Sequence, residues 1–168
     1  VVGAGVAIGV YCDNTLHAEE RMISKALEAG FTEKQATING ATINYAEGPN
    51  YGPALVLVHG QGVEWEDYAS VLPELSKRYH VFAVDCFGHG ESAHDPALYA
   101  CSKNGDAIIA LAGQVAGGEY IVSGHSSGGI LAAYIAANDT KHAKACVLED
   151  PPLFRVTPEE AQENAGTF

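Results

Sequence analysis

Positive charge is scarce in this chain. Nine lysines and arginines stand against 21 aspartates and glutamates, a net charge of −12 over 168 residues. Such a surface repels nucleic acid and anionic membranes, so neither is expected as a partner. The surplus acid does not by itself call for a cationic substrate, because solvated carboxylates explain it equally well. Cysteines at metal-binding spacing are also missing: Cys12, Cys86, Cys101 and Cys146 form no C-x-x-C pair. That argues against a zinc site and a disulfide framework and leans toward a reducing compartment. No cofactor and no metal are expected. No apolar run reaches the roughly 20 residues that span a bilayer. Residues 1–11, VVGAGVAIGVY, are too short for it, and their glycines miss G-x-G-x-x-G because Ile8 stands where the third is needed. That stretch reads either as the remnant of a membrane anchor or as an ordered apolar segment, which leaves a cytoplasmic and an anchored location both open. Internal repeats, low-complexity tracts and interdomain linkers are absent, and a 47% hydrophobic content suits one globular core.

What the sequence does contain is organised around residues 119–138, EYIVSGHSSGGILAAYIAAN. An apolar run enters Gly124-His125-Ser126-Ser127-Gly128, and a buried helix is expected to leave it over 129–138. Strand, sharp turn and helix form the context in which G-x-S-x-G exposes a serine hydroxyl on a strained turn. Ser126 fits the register, because Ser127 would need a glycine where His125 sits. The helix would turn its positive end toward that serine. A glycine-rich turn with solvated serines is the bland alternative for this motif taken alone.

The remaining elements follow from periodicity. Residues 17–29 predict an amphipathic helix with Met22, Ile23, Ala26 and Leu27 on one face, ended by Gly30. Residues 34–47 predict a hairpin turning at Asn39-Gly40, a pair suited to the left-handed turn between two β-branched stretches. Residues 54–59 (ALVLVH) read as a central strand buried on both faces. Residues 64–78 predict one helix, kinked or divided at Pro73. Residues 80–84 predict a strand ending on Asp85, residues 106–115 a helix, and residues 143–148 (AKACVL) a last strand. Thr157-Pro158-Glu159-Glu160 has capping-box spacing, so a helix is expected to start at Pro158. Alternating strands and helices imply an α/β fold, a mostly parallel sheet with helices on both faces. The expected organisation is an apolar segment and helix over 1–33, the core over 34–156, and a further helix over 157–168.

In this order the chain resembles the α/β-hydrolase superfamily, in its serine-nucleophile, esterase- and lipase-like branch. His59-Gly60-Gln61-Gly62 is similar to the HG oxyanion segment after the third strand. Asp85-x-x-Gly88-x-Gly90-x-Ser92 is similar to the loop after the fourth, and Gly124-His125-Ser126-Ser127-Gly128 to the nucleophile elbow after the fifth. The resemblance covers about 35–150, and the helix at Pro158 resembles the start of a lid. It implies that Ser126 is the nucleophile toward a small ester or related acyl substrate. The backbone N–H groups of Ser127 and Gln61 would be the oxyanion donors. A serine at the elbow disfavours haloalkane dehalogenases and epoxide hydrolases, whose elbow carries aspartate.

The acid and the base are where the sequence departs from this pattern. Asp150 is the one downstream carboxylate at a strand end and is a candidate acid. No histidine follows it. His125 should point away from the serine, His59 more readily orders its loop, and His89 and His94 read as solvated loop residues. His17, His80 and His142 have no motif context. Serine without a base is a poor nucleophile. The expectation is therefore the N-terminal part of a longer hydrolase, its missing half, or another chain, pairing with the edge at 143–148. A non-catalytic ligand-binding or interaction module on the same fold is the alternative.

Overall fold

The computed structural model describes residues 17–153. The apolar stretch 1–11, Cys12 and the helix expected at Pro158 lie outside the described residues. The first helix, α1, covers 17–28 and is followed by the hairpin strands β1 (Thr32–Ile38) and β2 (Ala41–Glu47). Asn39 and Gly40 form their turn, both at positive φ (52° and 85°), as an Asn-Gly hairpin requires.

Four parallel strands then assemble: β3 (Ala54–Val58), β4 (His80–Val84), β5 (Tyr120–His125) and β6 (Ala143–Glu149). The sheet order is β1-β2-β4-β3-β5-β6, with β2 antiparallel to β4 and the rest of the central ladder parallel. Two further helices, α3 (Cys101–Val115) and α4 (Ser127–Asn138), cover one face.

Strand alternation divides the core into two layers. Val56, Val58, Phe82, Val84 and Val122 face Ile108, Leu111, Ala132 and Ile135 of α3 and α4. Leu55, Leu57, Val81 and Ala83 face the other way, onto Trp65, Tyr68 and Leu72 and onto Ala26 and Phe31 of the N-terminal segment. The continuous apolar runs of β3 and β4 are the sequence form of strands covered on both faces. Within α1 the expected apolar face is narrower than its pattern suggests: Ala26 is fully buried, whereas Leu27 is 50% exposed.

Residues 64–78 are divided, as Pro73 suggests, but the break falls ahead of the proline and the pieces are shorter than expected. A 3₁₀ turn (Trp65–Tyr68) precedes a short helix, α2 (Leu72–Leu75). Two causes are visible. The Trp65 N–H donates to the Asp85 carboxylate at 2.7 Å, which fixes where the turn starts, and Pro73 sits in the first turn of α2, where it needs no N–H. The helix α3 begins five residues earlier than expected. Its buried Asn104 accepts the Phe87 N–H at 2.7 Å, a constraint that hydropathy does not register.

The 3₁₀ turn carries a carboxyl with an unusual environment. Partial burial, the neighbouring Glu64, and the charges of Glu33 and Asp85 push Glu66 up to about 7 from its ordinary 4.5. A carboxyl raised on folding costs stability once it must ionise, so its penalty is absent below 4.5 and complete above about 7. Glu66→Gln should therefore raise the thermal midpoint at pH 8 and lose that advantage as the pH approaches 4.5, measured by circular dichroism melts. An equal gain at both pH values would show that ionisation is not the cause.

Candidate active site

The loops at the carboxyl ends of β3, β4 and β5 converge on one pocket, as ligand sites do in open α/β sheets. Its volume is about 530 Å³, and its walls include Gln61, Phe87, His89, Tyr99, Ser127 and Leu131. Gln61 and Ser127, expected to lie together from motif positions 66 residues apart, do line the same cavity.

Ser126 sits on the turn between β5 and α4 with φ 53° and ψ −122°, a conformation that L-residues rarely adopt. The flanking glycines explain how the chain reaches it. A Cβ on Gly128 would collide with the carbonyl oxygens of Val58 and His59, and a Cβ on Gly124 would collide with the Gly128 carbonyl. The helix thus rests directly on the end of β3. A Cβ placed on Gly60 would lie 3.4 Å from the Ser126 Cβ, so the loop after β3 passes beside the serine. The Ser126 N–H donates to the Glu149 carbonyl at 2.8 Å, bracing the turn against β6. Helix α4 starts at Ser127, so its N-terminal N–H groups open at the serine.

Buried polar contacts hold the two neighbouring loops. Asp85, 1% exposed, accepts from Asn44 Nδ2 at 2.8 Å and from the Trp65 N–H at 2.7 Å, with a longer contact of 3.3 Å from the Glu91 N–H. Burial raises its pKa; those donors pull the other way. Gly90 passes so near that a Cβ there would strike the Asp85 carboxylate, and Ser92 Oγ donates to the Asp85 carbonyl at 2.7 Å. The D-x-x-G-x-G-x-S spacing is therefore a loop clamp rather than a reactive constellation.

His59 plays a similar part. Its Nε2 accepts the Cys86 N–H at 3.0 Å, so Nδ1 carries the proton and donates to the Gly60 carbonyl at 2.6 Å. Burial lowers its pKa, in keeping with a neutral ring. Burial also pushes the Cys86 thiol up to about 12 and raises Cys101, which leaves neither poised as a thiolate.

The other candidates are placed as follows. His125 is exposed and lines a groove on the opposite side of β5, with Ser123 and Glu149, which hydrogen-bond each other at 2.6 Å. Asp150 is exposed at φ 48°, and its carboxylate has no hydrogen-bond partner among the described residues. His94 is exposed and contacts the Gly90 carbonyl at 3.0 Å. His80 pairs with Glu47 and His142 with Asp139, both away from the pocket. His89 departs from the solvated role expected of it: its Nε2 accepts the Gly62 N–H at 3.1 Å. Nothing in a single sequence signals a contact between loops 27 residues apart. No imidazole among the described residues hydrogen-bonds the Ser126 hydroxyl, and no group of three or more of their His, Cys, Asp and Glu side chains could hold a metal ion. No helix among them is long and apolar enough to cross a membrane.

Comparison with known proteins finds the family model described as the alpha/beta hydrolase family over residues 55–166. The chain is similar to a lipase, LipV, of Mycobacterium tuberculosis, with 38% identity over 110 residues, covering 63% of this chain and 40% of that protein. It is also similar to a soluble epoxide hydrolase of Corynebacterium, with 30% identity over 105 residues, covering 62% of this chain and 36% of that one. Among solved structures, a bacterial membrane phospholipase A shares the fold at a TM-score of 0.74 and 23% identity, covering 98% of this chain and 56% of that one. The chain thus spans 40% and 36% of the length of these two curated relatives.

One elbow glycine and one surface glycine give a direct test of the packing. Gly128→Ala has backbone oxygens in its way and should lose about 3 kcal/mol or more in urea unfolding. Gly113→Ala, in the exposed last turn of α3 with nothing within 4 Å, should gain up to about 1 kcal/mol. Equal effects at the two positions would contradict the close approach of α4 to β3.

Proposed function

The chain belongs to the alpha/beta hydrolase family, and from that premise we propose that its protein is a serine hydrolase acting on a small ester or related acyl substrate through an acyl-enzyme on Ser126. The observation that carries this reading is the Ser126 turn itself, left-handed and flanked by two glycines that have no room for a Cβ, beside the loop after β3. The similarity to a lipase supports it, and serine at the elbow is the residue type that forms an acyl intermediate.

In this scheme the Ser126 oxygen bonds to the acyl carbon as its proton passes to a general base. The carbonyl electron pair moves onto oxygen, where the N–H groups of Gln61 and Ser127 would receive it. Neither N–H has another acceptor among the described residues, whereas the Gly62 N–H is engaged by His89. That favours Gln61 over Gly62 as the donor from its loop. Loss of one such donor typically costs about 3 kcal/mol in the transition state. Collapse of the intermediate expels the alcohol with the proton held by the base, and water then releases the acid by the same steps. Phe87, Tyr99 and Leu131 give the pocket an apolar wall suited to a short acyl or alcohol group.

The base would be a histidine supplied by further chain of the same protein, with Asp150 the candidate acid within these residues. Two surface features support further chain here. The outer edge of β6 is unpaired among the described residues and exposes Val147 (47%) and Leu148 (41%). Beside it an apolar groove of about 630 Å³ is lined by Leu55, Leu57, Val71, Ile121, Ala145 and Val147. An uncovered apolar edge is an aggregation hazard, so we assign both surfaces to that further chain. The alternative, a binding module without turnover, draws on the absence of an imidazole bonded to Ser126 among the described residues.

Two measurements separate these readings. A fluorophosphonate probe should label the complete gene product, and Ser126→Ala should abolish labelling while leaving the circular dichroism spectrum unchanged. Failure of the complete protein to label would favour the binding module. The 168-residue chain alone should self-associate in native mass spectrometry, and a stable monomer at 17.6 kDa would contradict the assignment of the β6 edge.

A further inference from the structure

His89 lies in the pocket wall without a part in the acyl chemistry above. Its Nε2 accepts the Gly62 N–H at 3.1 Å, and its Nδ1 lies 3.4 Å from the Phe87 carbonyl. A nitrogen that accepts carries no proton, so the neutral ring holds its proton on Nδ1, toward that carbonyl. The ring packs 5.0 Å from that of His59, centre to centre. His59 in turn donates to the Gly60 carbonyl at 2.6 Å. Gln61 therefore lies between two glycines, each held by a different imidazole.

That arrangement matters most at Gly62, because Gly60 is already packed against Ser126 and His125. Gly62 has φ 79° and open space where a side chain would be, so side-chain packing does not hold its peptide. The Gln61 N–H shares a peptide plane with the Gly60 carbonyl, held by His59. The Gln61 carbonyl shares the next plane with the Gly62 N–H, held by His89, so the two bonds together set how Gln61 presents its N–H.

We propose that His89 is a positioning residue, which holds the Gln61 N–H toward the pocket by accepting the Gly62 N–H, and that a second proton on His89 releases this hold. The proposal rests on the reading of Gln61 as an oxyanion donor. An imidazolium has no free lone pair, so the Gly62 N–H would lose its acceptor and face a like-signed N–H instead. The His59 ring packs on His89, and the other titratable groups that share its cavities are Cys86, Tyr99 and Cys101 in the main pocket and Glu64 and His94 in a shallower one. A group held off target by such a change costs up to about 100-fold in rate.

The test is nuclear magnetic resonance on the ¹⁵N-labelled complete protein, following ring nitrogens and amides as the pH is lowered. His89 should be the Nδ1–H tautomer, and the Gln61 and Gly62 amides should titrate with the midpoint of its ring. His89→Gln, whose side-chain oxygen can accept, should keep both amides near their neutral-pH positions and remove their titration. His89→Ala should displace both amides and slow phosphonylation of Ser126 at least about tenfold. His94→Gln, a change at an exposed ring in the same loop, should do neither. An Nε2–H tautomer, amides that do not follow His89, or a glutamine variant indistinguishable from alanine would overturn the proposal. The amide readout needs no turnover, so amides that track His89 in a protein inert to phosphonate would fault the hydrolase reading and leave the positioning role standing.

Discussion

The contact on which the site depends is the seat of α4 on the end of β3. Gly128 lies against the carbonyl oxygens of Val58 and His59, nearer than any side chain would permit, and Gly124 admits the Gly128 carbonyl in the same way. A chain that leaves β5 and enters a helix seated this close has almost no length in which to reverse. Ser126 takes up the reversal at φ 53°, a conformation worth about 1–3 kcal/mol of strain. The surroundings meet that cost through α3 and α4, whose Ile108, Leu111 and Ile135 are almost fully buried against the sheet. At about 2 kcal/mol for each such side chain, apolar burial outweighs the strain of one residue. Packing distance thus dictates where the serine hydroxyl stands.

A second layer of control is polar. Asp85 joins β2, the 3₁₀ turn at Trp65 and its own loop through donors from Asn44, Trp65 and Glu91. Desolvation is the largest influence on this carboxyl and raises its pKa, so the bonds offset the cost of burying it without cancelling it. What such a group contributes is specificity of position: a buried carboxylate satisfied by three elements fixes them relative to one another. His59 does the same between the loops after β3 and β4. The walls of the pocket are set by buried hydrogen bonds and its floor by apolar packing.

Much of this was legible from residue order, and the reasons differ by element. The strands β3 and β4 announce themselves because parallel strands covered on both faces need uninterrupted apolar runs, and Asn39-Gly40 marks the hairpin because its turn demands positive φ twice. Gly124 and Gly128 are legible for a different steric reason, because neither position has room for a Cβ. The division of 64–78 was only half visible: Pro73 signalled it, but the hydrogen bond from Trp65 to Asp85 couples positions 20 residues apart. The early start of α3 and the contact of His89 with Gly62 were hidden for the same reason. Both rest on bonds between a side chain and the backbone of a loop distant in sequence, which leave no periodicity. Ser126, Gln61 and Ser127 were candidates from motifs, and the structure brings Gln61 and Ser127 to one cavity, whereas no residue of the sequence stood out as the base.

The central claim is that Ser126 attacks and that the amides of Gln61 and Ser127 receive the developing charge. A crystal structure of the complete protein after reaction with a small alkyl phosphonate tests it most directly. The account predicts phosphorus bonded to Ser126 Oγ, with its free oxygen within about 3 Å of the Gln61 and Ser127 nitrogens. Phosphorus on Ser127, on Cys101 or on no residue of this pocket would contradict it, as would a free oxygen turned to Gly62 with His89 displaced.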